Sequence, residues 1–252
     1  MLFNNPQGFS RGLHHFHHRT APLPAQEHTP VTLSPGDVMA RSTAQRVSTV
    51  LRDRIEGGVL PPGTQLSEEA LGQDLGVSRN TLREAFRLLV HDNLVEHQLN
   101  RGVFVRSPGP ADVADIYRLR AALELAGVRA ADEAPRALRE AVTTAVAEAE
   151  WAADDGDWPA VATADLRFHR ALAALSGSPR IDATMDRLLA ELRLAFHAMP
   201  SPRGFHQPFL IRNRTIERFL ADGRTDRAEA ELTAYLDDAR QLIVDTMLEN
   251  RP

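Results

Sequence analysis

Two serines able to cap helices, Ser67 and Ser78, stand on either side of a short apolar-periodic stretch that Gly76 closes. Few local patterns leave a chain so little choice. Glu68 and Glu69 follow Ser67, where a helix dipole favours negative charge, and Leu71 and Leu75 supply a buried side. Gly76 ends that helix, Val77 points back inward, and Ser78 opens the next one. Ahead of this pair, Val47, Val50, Leu51 and Ile55 recur at helical spacing until Gly57-Gly58. Pro61-Pro62-Gly63 then turns the chain into a short extended stretch, Thr64-Gln65-Leu66. Behind it, Asp92-Asn93 leads into two apolar-rich stretches, Leu94–Gln98 and Val103–Val105. The intervening Leu99-Asn100-Arg101-Gly102 reads as a hairpin turn, with Gly102 able to take positive φ. Three helices and a hairpin over residues 41–106 are the layout of a winged helix-turn-helix.

The helix that Ser78 opens carries the chemistry. Leu82, Ala85, Phe86 and Leu89 share one face, while Arg79, Arg83 and Arg87, each four residues apart, share another. Arg can pair two donors with guanine O6 and N7, and Asn does the same for adenine, so Arg79, Asn80 and Arg83 are suited to base edges in a major groove. Arg101 at the hairpin tip is placed to reach a phosphate or the narrow minor groove. The expected DNA-contacting set is Ser78, Arg79, Asn80, Thr81, Arg83, Arg87, Asn100, Arg101 and Gly102. An isolated arginine stripe more often marks a solvated face; its place on the second helix of a helix-turn-helix followed by a basic hairpin favours the groove. Charge permits this without demanding it. Residues 41–106 hold nine Arg against eight acids, and residues 107–252 hold 18 Arg against 24 acids, within a net charge of −5.

The rest of the chain is organised differently. Residues 1–40 contain five prolines and little apolar periodicity, and they read as a mobile extension. Its His14, His15, His17 and His18 form either a metal site or, by preference, a solvated tail; Met39 is an alternative start. Ser107-Pro108-Gly109-Pro110 reads as a linker. Residues 111–250 read as six amphipathic helices near 111–133, 136–155, 158–176, 179–199, 206–222 and 225–249, an antiparallel all-α bundle. Trp151 and Trp158, beside one break, read as packing residues. The chain has no cysteine, which excludes disulfides and thiolate metal sites and fits a cytoplasmic protein. No apolar run approaches the roughly 18–20 residues a membrane span needs. Within the bundle, Arg120 and Glu124 are four apart, as are Asp165 and His169. Such pairs are either surface ion pairs or a site for an anion or metal.

The run Leu66-Ser67-Glu68…Leu71…Leu75-Gly76-Val77-Ser78-Arg79…Leu82-Arg83-Glu84-Ala85…Leu94-Val95…Arg101-Gly102-Val103-Phe104-Val105 resembles the DNA-binding domain of the GntR family of bacterial transcriptional regulators. It departs at Asn93, where the family usually has Gly, and at Glu69, where some members carry an Arg used on DNA. The helical part is similar to the FCD domain of the FadR branch, with its Arg-x-x-x-Glu (Arg120…Glu124) and Asp-x-x-x-His (Asp165…His169). That resemblance implies a divalent metal held by the Asp, the first His and two further His. Those two positions fall on Asn213 and Tyr235, which leaves at most Asp165, His169 and the Asn213 amide oxygen as metal ligands and does not favour a tightly held metal. It implies an effector pocket of Arg120, as carboxylate clamp, with Asp165, His169, Asn213 and Tyr235, and with Arg193 and His197 also facing inward. The whole reads as a cytoplasmic homodimer on double-stranded operator DNA, without membrane contact, whose repression is relieved by an organic acid, activation being the other sign. Its rivals are a constitutive DNA-binding dimer and an enzyme using Asp165 and His169.

Overall fold

A computed structural model describes residues 42–250. The expected extension over residues 1–40, its histidine cluster and Met39 lie outside them. Among the described residues the chain is mainly α, with a winged helix-turn-helix followed by an antiparallel helical bundle. In the first part, α1 (Thr43–Glu56), α2 (Glu68–Leu75) and α3 (Arg79–His91) precede the antiparallel hairpin β1 (Val95–Gln98) and β2 (Gly102–Val105). A capping box starts α1: Ser42 Oγ accepts from the Gln45 amide at 3.1 Å while Gln45 Oε1 accepts from the Ser42 amide at 2.8 Å. The extended stretch read at 64–66 lies along β2, with Leu66 donating to the Val103 carbonyl at 2.8 Å and Val105 to the Thr64 carbonyl at 2.9 Å. Asn93 takes φ 56°, so the residue standing where glycine is usual adopts the left-handed conformation that asparagine tolerates.

The bundle comprises α4 (Pro110–Arg129), α5 (Arg136–Asp154), α6 (Trp158–Ala174), α7 (Pro179–Phe196), α8 (Pro202–Ala221) and α9 (Thr225–Glu249). Pro110, read as linker, is the first residue of α4. The largest departure from expectation is α8, which begins at Pro202 rather than near 206. Pro200-Ser201-Pro202 reads as a break, yet Ser201 Oγ accepts from the Gly204 amide at 3.1 Å, and a proline at the first helical position gives up an N–H that had no partner anyway. Trp151 is 70% exposed, so it is not the packing residue expected. Trp158 is partly buried, with the Arg203 guanidinium 5.4 Å from its ring centroid.

Helices α4 and α6 cross at Gly127, where a Cβ would lie 2.0 Å from the Leu172 carbonyl oxygen. Only glycine permits that approach. The two parts of the chain are joined by packing as well as by sequence. Ala190 and Leu194 of α7 complete the core formed by Leu51, Ile55, Leu82, Phe86 and Leu89. Polar contacts rim this joint: Glu191 accepts from Arg106 Nη1 at 2.7 Å and from Asn93 Nδ2 at 3.1 Å, and Arg193 Nε donates to the Glu56 carbonyl at 2.8 Å. Among the described residues, no helix is long and apolar enough to cross a membrane.

Candidate functional site

The exposed face of α3 is set by its cap. Ser78 Oγ accepts from the Thr81 amide at 3.1 Å and lies 2.9 Å from Thr81 Oγ1, so these two residues orient the first turn. Arg79 and Asn80 are left exposed in that turn, while Leu82, Ala85, Phe86 and Leu89 are buried beneath it. Arg83 Nε donates to Glu68 Oε1 at 2.9 Å, and Arg87 pairs with Glu84. Both pairs are exposed and screened, so they hold the arginines loosely. At the hairpin, Asn100 (φ 58°) and Gly102 (φ 102°) shape the turn that puts Arg101 at its exposed tip. The Arg101 carbonyl accepts from Gln65 Nε2 at 2.7 Å, and its guanidinium lies 5.2 Å from the Phe104 ring centroid. Among the described residues, neither Arg79 nor Arg101 has a carboxylate partner.

Inside the bundle lies a buried polar cluster. Arg120, Glu124, Asp165, His169, His206, Asn213 and Tyr235 are all buried. Glu124 Oε1 accepts from Arg120 Nε at 2.9 Å, and its Oε2 lies 2.6 Å from His169 Nδ1. Asp165 Oδ1 accepts from Asn213 Nδ2 at 2.8 Å and from the Tyr235 hydroxyl at 3.1 Å. Burial works against both carboxylates as anions. For Glu124 the charges of His169 and Arg120 outweigh it and lower the pKa. For Asp165 the contact from His206, the fields of His169 and His206 and the Asn213 amide hold the carboxyl well below its ordinary range. Burial lifts the Tyr117 hydroxyl to about 12, beneath the Arg120 guanidinium 4.6 Å from its ring centroid.

Three atoms in this cluster have no partner: Arg120 Nη2, His206 Nδ1 and Asn213 Oδ1. His206 Nδ1 is 3.3 Å from Asp165 Oδ2, off the direction of a hydrogen bond. His206 was absent from the expected set, although it sits seven residues, two helical turns, before Asn213 on one face of α8. Reading α8 from 206 put it at a frayed start. The ring also borders a cavity of about 290 Å³ between α1, α6, α7 and α8, walled by Ala162, Phe196, Met199 and Phe205. Arg193 and His197, expected to face inward, border this cavity and the α1 end instead, and His197 is exposed.

The divalent metal that the FCD resemblance implies does not fit these residues. Asn213 and Tyr235 present an N–H and an O–H to Asp165, so hydrogens occupy the lone pairs a cation would need. His169 Nδ1 is committed to Glu124, and its Nε2 is 3.9 Å from Asp165 Oδ1. Among the described residues, no group of three His, Asp or Glu side chains is arranged to hold a metal ion.

Against this geometry, residues 43–105 match the profile of bacterial regulatory proteins of the gntR family, and residues 115–238 match the FCD domain. An HTH-type transcriptional regulator from the TAR-I ttuE-ttuC' intergenic region of Agrobacterium vitis is 36% identical over 156 residues, 58% of this chain and 88% of that protein. The gluconate operon transcriptional repressor of Bacillus subtilis is 35% identical over 83 residues, 33% of this chain and 34% of that protein. A crystal structure of a GntR transcriptional regulator from Rhodococcus sp. RHA1 superposes with a TM-score of 0.77 at 42% identity, covering 81% of this chain and 99% of that one.

Proposed function

Because the chain belongs to the gntR family of bacterial regulatory proteins and carries an FCD domain, and is thus a DNA-binding transcriptional regulator, we propose that it is an effector-relieved repressor acting as a cytoplasmic homodimer. The supporting observation is the Ser78 cap, which leaves Arg79, Asn80 and Arg83 exposed in successive turns beside the Arg101 wing. In this reading Arg79, Asn80 and Arg83 meet base edges. Ser78, Thr81, Arg87 and the turn of Asn100, Arg101 and Gly102 serve position and backbone contact. Two copies address the half-sites of a palindrome.

The effector site is the buried cluster of Arg120, Asp165, His169, Asn213 and Tyr235, entered from the cavity that His206 borders. Its unspent groups are one nitrogen that can donate, Arg120 Nη2, and one acceptor, Asn213 Oδ1, while His206 Nδ1 faces Asp165 Oδ2 at 3.3 Å. That complement suits a carboxylate carrying a hydroxyl: an oxygen for the guanidinium and an O–H for the amide.

Arg83→Ala tests the groove assignment. It should cost about 1–3 kcal/mol in affinity for operator fragments selected from source DNA and flatten preference at one base position. Unchanged gel-shift affinity and preference would remove Arg83 from the interface. Calorimetry against hydroxy acids, with Asn213→Ala as control, tests the effector. Absence of heat across the panel would favour the constitutive dimer.

A further inference from the structure

A second cleft lies apart from the buried cluster, between α1 and the α6–α7 pair, with a volume of about 480 Å³. Five arginines line it, Arg52, Arg167, Arg170, Arg187 and Arg193, against two acids, Glu56 and Asp186. The pairing of these charges is uneven. Arg52 pairs with Asp92 and lies 3.7 Å from Glu56. Arg170 pairs with Asp186, and Arg167 reaches outward to Glu148 at 2.9 Å. Arg193 bonds neutral acceptors alone, the Glu56 carbonyl at 2.8 Å and Thr163 Oγ1 at 2.9 Å. Arg187 has no carboxylate partner among the described residues. Five guanidinium charges thus face four carboxylates, Glu56, Asp92, Asp186 and Glu148, and neither Arg187 nor Arg193 is paired with a carboxylate of its own.

A partly buried cation without a counter-charge carries an unreturned desolvation cost, which an anion in the cleft would offset. Burial, and then the neighbouring positive charge of Arg167, depress the Arg193 pKa; the charge of Glu56 does not make up the difference. We propose that this cleft is a binding site for a small dianion, a dicarboxylate or a phosphate monoester, held by Arg187 and Arg193 with Arg167 at its rim. A guanidinium fork matches a pair of oxygens on either group. The walls come from both parts of the chain, α1 of the winged domain and α6–α7 of the bundle. A bound dianion would thus tie the DNA-binding part to the bundle at a point distinct from the buried cluster.

The test uses the full chain, titrated calorimetrically with inorganic phosphate at a pH where it is a dianion, and with succinate, at physiological salt. Saturable binding to the wild type is expected. Arg187→Glu should weaken it about tenfold or more, because it removes one charge-assisted pair and adds a repulsion. Arg167→Ala should weaken it less. Arg180→Glu, an exposed charge reversal elsewhere on α7, should leave it unchanged. Absence of binding, equal weakening by Arg180→Glu, or a loss on Asn213→Ala that Arg187→Glu does not reproduce would each overturn the proposal. The last outcome would put the anion in the buried cluster instead. The effector reading does not depend on the result.

Discussion

Glu124→Gln is the perturbation for which the structure supports the firmest number. Glu124 is 0% exposed and Arg120 is 1% exposed, and both Glu124 oxygens are spent, one on Arg120 Nε and the other against His169 Nδ1. The substitution keeps the shape and an acceptor for Arg120 but removes the counter-charge. Breaking a buried pair from one side costs about 3–5 kcal/mol, because a desolvated charge is stranded. The surviving acceptor puts this case at the low end, about 3 kcal/mol. In a body of this size that corresponds to a drop in Tm of roughly 6–12 °C. Adding Arg120→Met removes the stranded charge at similar volume and should recover most of the loss. Thermal melts and urea midpoints of the two variants measure both steps. A single-mutant shift under about 2 °C, or a double mutant weaker than the single, would show that Glu124 is not what neutralises Arg120.

The same cluster fixes the sign of the acid response. Glu124 and Asp165 have lowered pKa values in the folded state, so their contribution is full above the ordinary carboxylate value of about 4 and is lost as pH falls from there through the folded values. Urea midpoints of wild type and Glu124→Gln should therefore keep a constant gap above about pH 5 and converge in acid; a gap that widens on acidification would contradict the assignment. Gly127→Ala should destabilise the bundle by about 1–3 kcal/mol or more, because the added methyl meets the Leu172 backbone, which cannot rotate away. An unchanged melting curve would refute the close crossing. Asn213→His with Tyr235→His replaces two donors to Asp165 by two lone pairs, and zinc or nickel affinity by metal analysis of the purified double variant should rise. No gain would mean that these positions do not converge on Asp165 as metal ligands.

What could be read from residues alone followed the range of the forces involved. The Ser67 and Ser78 caps, the Gly76 stop and the Asn100–Gly102 turn act within four residues, and α2, α3 and the hairpin appear where those signals put them. The Arg120–Glu124 pair was visible for the same reason, being one helical turn. Its third member was not visible from spacing: His169 reaches Glu124 across 45 positions, and only the resemblance to the FCD domain put His169 in one pocket with Arg120. His206 was hidden by a local misreading, since two prolines around Ser201 resemble a break when the first is outside the helix and the second begins it. Arg193 shares α7 with core residues and His197 caps that helix, and only the packing of α1 against it shows that they face the joint.

In the effector-relieved reading proposed above, that joint is also where regulation would pass. An effector alters operator occupancy only if it binds two arrangements of the protein unequally. The cluster's Asp165 and His169 sit on α6, and α7 packs between α6 and the winged domain. Leu194 and Ala190 extend the winged core onto α7, and Glu191, 6% exposed, takes hydrogen bonds from Arg106 and Asn93 at the base of the hairpin. Arg193, on the same helix, is bonded to the last carbonyl of α1. A displacement of α7 along or about its axis cannot leave these contacts in place, because each is shorter than a side chain's reach and two of them involve buried groups. Closely packed cores move between discrete arrangements rather than deforming continuously. In the reading proposed above, α7, which joins the bundle to the winged core, is therefore the element through which a ligand bound beside α6 would bear on the presentation of α3 to DNA.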